Sequence, residues 1–248
     1  MSPRLAFAVD AAYRGGRSTL AWFQAGAEVI TKSDATPVTI ADRNAERLIR
    51  ELIAAKYPTD AILGEEEGGD TGALDRWVID PIDGTKSFIS GVPLYSTLLS
   101  YEVDGEPEVG VCYFPALDEM YYAEKGQGAF MNGRPIRVST RESLQGGILC
   151  CGGSMFNAKN YPKVAPLLPR ALATRTWCDA YGHAMVASGR ADVMLDPIIS
   201  HWDISAVSLI TREAGGRFTD FAGGDKLSTS AVSSNGAIHE EILAALNS

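Results

Sequence analysis

The sequence predicts an α/β fold of the α+β kind, with helices and sheets stacked in layers. Three observations predict it. The N-terminal part carries two helical stretches, the middle carries short strand-like segments joined by turn signals, and the last part alternates strand-like with helical segments. At 248 residues the chain is long enough for a sizeable core, and its 46% hydrophobic and 21% charged residues are ordinary for a globular protein. No repeat, low-complexity tract or Pro/Gly/Ser linker interrupts it. The expectation is one domain over residues 1–248, with a soft seam near residue 140 between an N-terminal α+β half and a C-terminal α/β half.

The first helix is expected near Pro3 to Ala25. The second is expected near Thr39 to Lys56, where VTIADRNAERLIRELIAA repeats apolar residues at helical spacing. Asp60 to Leu63 and Trp77 to Ile79 read as buried strands. Ser96 to Val103, Glu108 to Phe114, Glu119 to Glu124 and Pro135 to Ser139 read as further strands, with hairpin signals at Asp104-Gly105 and Asn132-Gly133. Then strand-like Gly146 to Cys151 precedes a helix at Tyr161 to Leu168, and Ala173 to Cys178 precedes helical AYGHAMVASGRA. Asp192 to Leu195 precedes a helix from Asp203 to Ala214, stopped by Gly215-Gly216.

Composition excludes several function classes. A net charge of −9 leaves no basic stripe for a nucleic acid. Mean hydropathy is −0.02, and no apolar run approaches a membrane span, so no membrane association is expected. The N-terminus has an acidic Asp10 and no signal-type cleavage site, which makes the cytoplasm the expected compartment. Cys112, Cys150, Cys151 and Cys178 show no zinc spacing and read as reduced thiols.

The informative segment is LGEEEGGD (Leu63 to Asp70) followed by WVIDPIDGTKSF (Trp77 to Phe88). Asp80 stands where a strand must stop at Pro81, Asp83 follows three residues on, and Gly84-Thr85 opens a helical turn. Two carboxylates with the Ile82 carbonyl between them offer hard oxygen ligands to Mg²⁺, and backbone N–H groups at the turn suit a phosphate. Glu65 and Glu66 complete the cluster if their strand lies alongside. Taken alone, DPIDG also reads as an Asx-stabilised turn, and EEE as a solvated acidic loop. Asp203, ahead of an apolar-periodic helix, reads first as an N-cap, and second as a residue facing metal.

GEEE, WVIDPIDGTKSF and WDISAVSLITREAGG, in this order and at these separations, resemble the signature regions of the inositol-monophosphatase superfamily. KSDATPVTIAD (Lys32 to Asp42) and Gly110 to Ser139 extend the resemblance. It implies a layered αβαβα sandwich and two or three Mg²⁺ ions. Glu65, Asp80 and the Ile82 carbonyl would hold the first ion; Asp80, Asp83 and Asp203 the second; Glu66 and Asp42 a weaker third. Gly84 and Thr85 would bind phosphate, with Thr85 and Glu65 orienting and deprotonating the attacking water. The resemblance also implies a homodimer. Rival phosphatase chemistries lack their residues: Asp80 and Asp83 are D-x-x-D rather than D-x-D, and the sixth positions after the cysteines are Asp118, Phe156, Asn157 and Ala184, none an arginine. No P-loop is present. His183 and His201 read as structural or supporting residues.

Within the family, DPIDGTKSFISGVPLYSTLLSY with Lys86, and WCDAYGHAMVASGRADVMLD (Trp177 to Asp196), resemble the histidinol-phosphate phosphatase branch. Asp179 and Asp196 then fall where the leaving group is contacted, and an extra carboxylate at 179 suits an ammonium. Asp179 also reads as a helix N-cap, and Lys86 as a solvated residue. The expected substrate is histidinol phosphate. A broad inositol-1-phosphate phosphatase is the alternative, and a non-catalytic metal- or phosphate-binding homologue a remote one. Arg175 and Arg190 are the cations available to a larger, doubly phosphorylated substrate.

Overall fold

The structure, a computed structural model, describes residues 1–26, 29–31 and 37–247. In chain order its elements are α1 (Pro3–Thr19), β1 (Val29–Thr31), β2 (Pro37–Thr39), α2 (Ile40–Lys56), β3 (Ala61–Gly64), β4 (Gly68–Gly69), β5 (Arg76–Asp83) and α3 (Thr85–Ile89). They continue with β6 (Ser96–Val103), β7 (Glu106–Phe114), β8 (Glu119–Glu124), β9 (Ala129–Met131), β10 (Arg134–Ile136) and β11 (Ile148–Cys151). The last are α4 (Tyr161–Val164), β12 (Ala173–Arg175), α5 (Asp179–Ala187), β13 (Val193–Asp196), α6 (His201–Glu213), β14 (Arg217–Thr219), β15 (Ala231–Ser234) and α7 (His239–Leu246).

Two sheets dominate. The larger has eight strands in the order β10-β9-β8-β7-β6-β5-β3-β4, and the smaller five in the order β12-β11-β13-β15-β14. In the larger sheet only β3 and β5 run parallel. Helices α1 and α2 cover one face of it through Leu5, Ala8, Ile49 and Ile53 against Trp77, Ile79 and Leu99. Helices α5 and α6 fill the space between the sheets, where Ala184, Ile204 and Val207 meet Leu98 and Phe114 on one side and Phe218 on the other. Val164 of α4 and Ile242 of α7 pack on the far face of the smaller sheet with Leu149 and Val193. The layers therefore run αβαβα, as expected.

Local chemistry sets the boundaries. Ser2 caps α1 by accepting the Leu5 N–H at 3.1 Å, and Pro3 supplies a preset φ at the first turn. The helix ends at Thr19, short of Ala25, in turns that lay Phe23 against Phe88 and Tyr95. Both hairpin signals hold: Asp104 and Gly105 (φ 53° and 76°) turn β6 into β7, and Asn132 and Gly133 (φ 47° and 80°) turn β9 into β10. The expected helix from Tyr161 to Leu168 is cut to Tyr161–Val164, because Pro166 cannot continue it. Of the segment Lys32 to Asp42, residues 32–36 lie outside the described residues.

Two histidines are buried against the smaller sheet. His183 Nδ1 lies 2.7 Å from Ser233 Oγ, and His239 sits between Thr219 and Ser234. Burial holds His183 down at about 3 and His239 at about 4, from an ordinary 6.5. The unfolded chain therefore binds more protons as the pH drops below 6.5, and stability present above that value is lost on acidification. Each histidine is expected to contribute about 1.4 kcal/mol of loss per pH unit until its folded value is reached. Urea unfolding in EDTA between pH 7 and 5 should show a slope shallower by about one proton in His183→Gln than in wild type. Identical slopes would refute the assignment.

Candidate active site

Strand β5, RWVIDPID, is buried along its whole length, so its C-terminal carboxylates are delivered deep between the layers. On a regular strand Asp80 and Asp83 would point to opposite faces. Pairing with β6 is regular to Asp80 opposite Leu98 and resumes at Asp83 opposite Ser96, so three residues of β5 face two of β6. Such a bulge re-aims side chains. It starts at Pro81, which has no N–H to pair, and the Pro81 carbonyl accepts the Thr97 hydroxyl at 2.8 Å. The result is a cluster in which oxygens of Asp80, Asp83 and Asp203 all lie within 4.8 Å of one another.

Beyond the bulge, Gly84 takes φ 79° and caps α3, a backbone state in which a side chain is disfavoured. A Cβ there would also stand 3.0 Å from Asp179 Oδ2. Thr85 Oγ1 donates to the Ile82 carbonyl at 3.2 Å. Asp203 enters from α6, and here the expectation is corrected. It is the third helical residue and Ser200 is the N-cap, with the Ser200 N–H donated to Asp203 Oδ2 at 2.8 Å in a capping box. Asp179 likewise is not the N-cap of α5; Cys178 holds that place, and Asp179 opens the helix at φ 58°. The Ala180 N–H at the start of α5 is instead accepted by Asp83 Oδ2 at 2.9 Å, which also accepts Ser96 Oγ at 3.2 Å.

Glu65, Asp80, Ile82, Asp83, Gly84, Thr85, Lys86, Asp179 and Asp203 line one cavity of about 170 Å³. Asp83, Lys86, Asp179 and Asp203 also line a neighbouring cavity of about 490 Å³ that reaches Asp196, Ile198 and the Gly152–Ser154 turn. Asp42 and Glu66 line neither cavity. Asp42 is buried at the start of α2, where its Oδ2 accepts the Thr39 N–H and hydroxyl, and it feels the charge of Glu65. Arg175 is exposed beside the Trp177 ring, and Arg190 binds Tyr121 and Glu119, so neither reaches the cavities.

The electrostatics of this cluster are those of a cation site. Burial pushes the Asp80 carboxyl well up, reinforced by Glu65, Asp83 and Asp203. Burial, then Asp179 and Asp203, does the same to Asp83. Burial, with Glu65 and Asp179 nearby, lifts Asp203 to about 7. Asp80 Oδ1 and Asp42 Oδ1 are buried with no hydrogen-bond partner. Buried carboxylates facing one another are costly unless a cation compensates them, and an all-oxygen set suits a hard divalent ion. Burial also raises Asp179, against the opposing effects of the Cys178 thiol and Lys86, and it raises Asp196 strongly.

One residue pair escaped the sequence reading. Glu46 on α2 is fully buried and accepts the backbone N–H groups of Glu66 at 2.8 Å and Glu67 at 3.1 Å, while Arg50 binds it at 2.8 Å. The available signal was a carboxylate beside the apolar stripe Ala41, Ala45, Ile49, Ile53, on the face that α2 buries.

The chain matches the inositol monophosphatase family over residues 1–248. A histidinol-phosphatase of Chlorobaculum parvum is 44% identical, with 99% of this chain and 97% of that protein covered. A histidinol-phosphatase of Mycobacterium tuberculosis is 38% identical over 88% of this chain and 87% of that one. An IMPase structure from Thermotoga maritima superposes with a TM-score of 0.92 at 35% identity, covering 99% and 97% of the two chains. The fold, the acidic cluster and these relatives together place the chain in the inositol monophosphatase family of metal-dependent enzymes, as a phosphoric monoester hydrolase.

Proposed function

We propose that this enzyme hydrolyses histidinol phosphate to histidinol and inorganic phosphate, with Mg²⁺ as its metal. The observation that carries the substrate reading is the position of Asp179, whose carboxylate lies over Gly84 at the junction of the two cavities. A phosphate seated on Gly84 and Thr85 would leave its alcohol facing Asp179 and Asp196, two carboxylates that suit an ammonium. The two most similar relatives named above carry the same activity in their names.

Glu65, Asp80, the Ile82 carbonyl, Asp83 and Asp203 would hold two Mg²⁺ ions, and Glu66 with Asp42 a weaker third. Bound there, the ions would supply charge neutralisation for the phosphate oxygens and would make the attacking water more acidic. The residues themselves do the positioning. Thr85, through its hydroxyl, orients the attacking water and Glu65 takes its proton, while the N–H groups at Gly84 and Thr85 hold the phosphate in line. Water adds to phosphorus as Glu65 takes its proton, the ester P–O bond breaks, and the leaving alkoxide takes up a proton from solvent while Glu65 returns its own to solvent. Ligands come from both halves of the chain across a shared core, which supports a single catalytic domain. We further read the enzyme as cytoplasmic and homodimeric; among the described residues no helix is long and apolar enough to cross a membrane.

The test is Mg²⁺-dependent phosphate release from histidinol phosphate and from inositol 1-phosphate. A kcat/KM preference of about 100-fold for histidinol phosphate, equivalent to about 2.7 kcal/mol, is expected. Comparable rates would favour a broad inositol-type phosphatase, a reading to which the 35%-identical IMPase structure lends support.

A further inference from the structure

We propose that Glu46, braced by Arg50, is a positioning residue that sets the affinity of the weakest metal site by holding the Glu65–Glu66 loop in register with Asp42. The inference rests on the reading of Glu65, Glu66 and Asp42 as metal ligands. Its basis is geometric. Asp42 and Glu46 lie one turn apart on α2, and both are fully buried. Asp42 spends one oxygen on the capping box with Thr39 and keeps Oδ1 without a hydrogen-bond partner. Glu46 spends both oxygens on the loop: Oε2 accepts Glu66 N–H at 2.8 Å, and Oε1 accepts Glu67 N–H at 3.1 Å and Arg50 Nε at 2.8 Å. Arg50 then donates to the Gly68 carbonyl, so the pair grips the loop by its N–H groups and by a carbonyl.

On its other side the loop is tied to β5, where the Glu65 N–H donates to the Ile79 carbonyl at 3.1 Å. A loop carrying three successive glutamates is thus held through its backbone on both sides. Gly64 is part of the device. A Cβ at that position would collide with Glu46 Oε1 and stand 2.6 Å from its Cδ and 2.7 Å from the Arg50 guanidinium. Glycine at 64 is what lets the helix carboxylate reach the loop.

Glu46→Gln is the direct test, because an amide has one acceptor where the site needs two. One backbone N–H must then face an NH₂ group. Mg²⁺ titrated calorimetrically into metal-stripped E46Q should bind its weakest site about 10- to 100-fold less tightly than in wild type, the usual loss for an outer partner of a metal ligand. Half-saturating Mg²⁺ for phosphate release should rise in parallel, with kcat at saturating Mg²⁺ largely kept. The Glu66 and Glu67 amides should exchange hydrogen faster in the metal-free variant. Gly64→Ala, which displaces Glu46 without removing it, should shift the Mg²⁺ titration in the same direction. The proposal is overturned if both variants titrate like wild type, or if they lose thermal stability while the folded protein keeps wild-type Mg²⁺ affinity. Glu65→Gln separates the two failures. If that variant too binds Mg²⁺ unchanged, the ligand assignment is at fault; if it alone weakens binding, the clamp is.

Discussion

Asp83→Asn is expected to lose Mg²⁺-dependent phosphate release by on the order of 10³-fold or more, while its metal-free form unfolds at or above the wild-type temperature. The first half follows from charge. Asp83 stands in the oxygen cluster with Asp80 and Asp203, and a metal site of this kind stabilises the transition state by several kcal/mol. The second half follows from what an amide preserves. The two hydrogen bonds of Asp83, from Ala180 N–H and Ser96 Oγ, both end on Oδ2, and an asparagine oxygen can accept both. What disappears is a buried negative charge whose carboxyl is already pushed well up by burial and by Asp179 and Asp203. Removing it relieves repulsion of about 1–2 kcal/mol, worth roughly 2–4 °C per kcal/mol in a chain of this size. The Tm increase that Mg²⁺ gives wild type should shrink in the variant. Normal turnover in Asp83→Asn, or a metal-free form that fails to fold, would sink this assignment.

The sequence carried some of this site openly and hid the rest, for identifiable reasons. Asp80, Asp83, Gly84, Thr85 and Asp203 were visible because their types and spacings are what hard-cation and phosphate chemistry require, and family resemblance tied the distant Asp203 to the others. What turns Asp80 and Asp83 to one side is a bulge against β6, and register between strands is a non-local property that no window of β5 contains. Glu46 and Arg50, four residues apart on a helix, look from sequence like any solvated ion pair; only the placement of the Glu65–Glu66 loop shows that Glu46 is buried and Arg50 half-buried. Asp203 as third residue of a capping box was readable from Ser200, and the shortening of α4 from Pro166. Strands β14 and β15 went unassigned because three or four residues, two of them serines in β15, give too little alternation to register.

The proposed substrate turns on Asp179, a residue whose backbone is itself unusual. Asp179 has φ 58°, a conformation that costs most side chains about 1–2 kcal/mol and that Asp and Asn tolerate. Asp179→Ala would therefore mix a backbone penalty with the loss of charge, whereas Asp179→Asn keeps the conformation and removes only the charge. If the carboxylate meets the ammonium of histidinol, Asp179→Asn should cut kcat/KM for histidinol phosphate on the order of 10- to 100-fold, the range of a charge-assisted hydrogen bond. Inositol 1-phosphate has no cation to lose, so its kcat/KM should barely change. The comparison between substrates is essential because Asp179 also acts on the metal cluster, raising Asp83 and Asp203 through its charge. An effect transmitted through the metals would fall on both esters alike, since both present the same phosphate. Equal losses on the two substrates would assign Asp179 to the metal site's electrostatics, and the ammonium would then have to be sought at Asp196, a buried carboxylate of the larger cavity outside the Asp80–Asp83–Asp203 cluster.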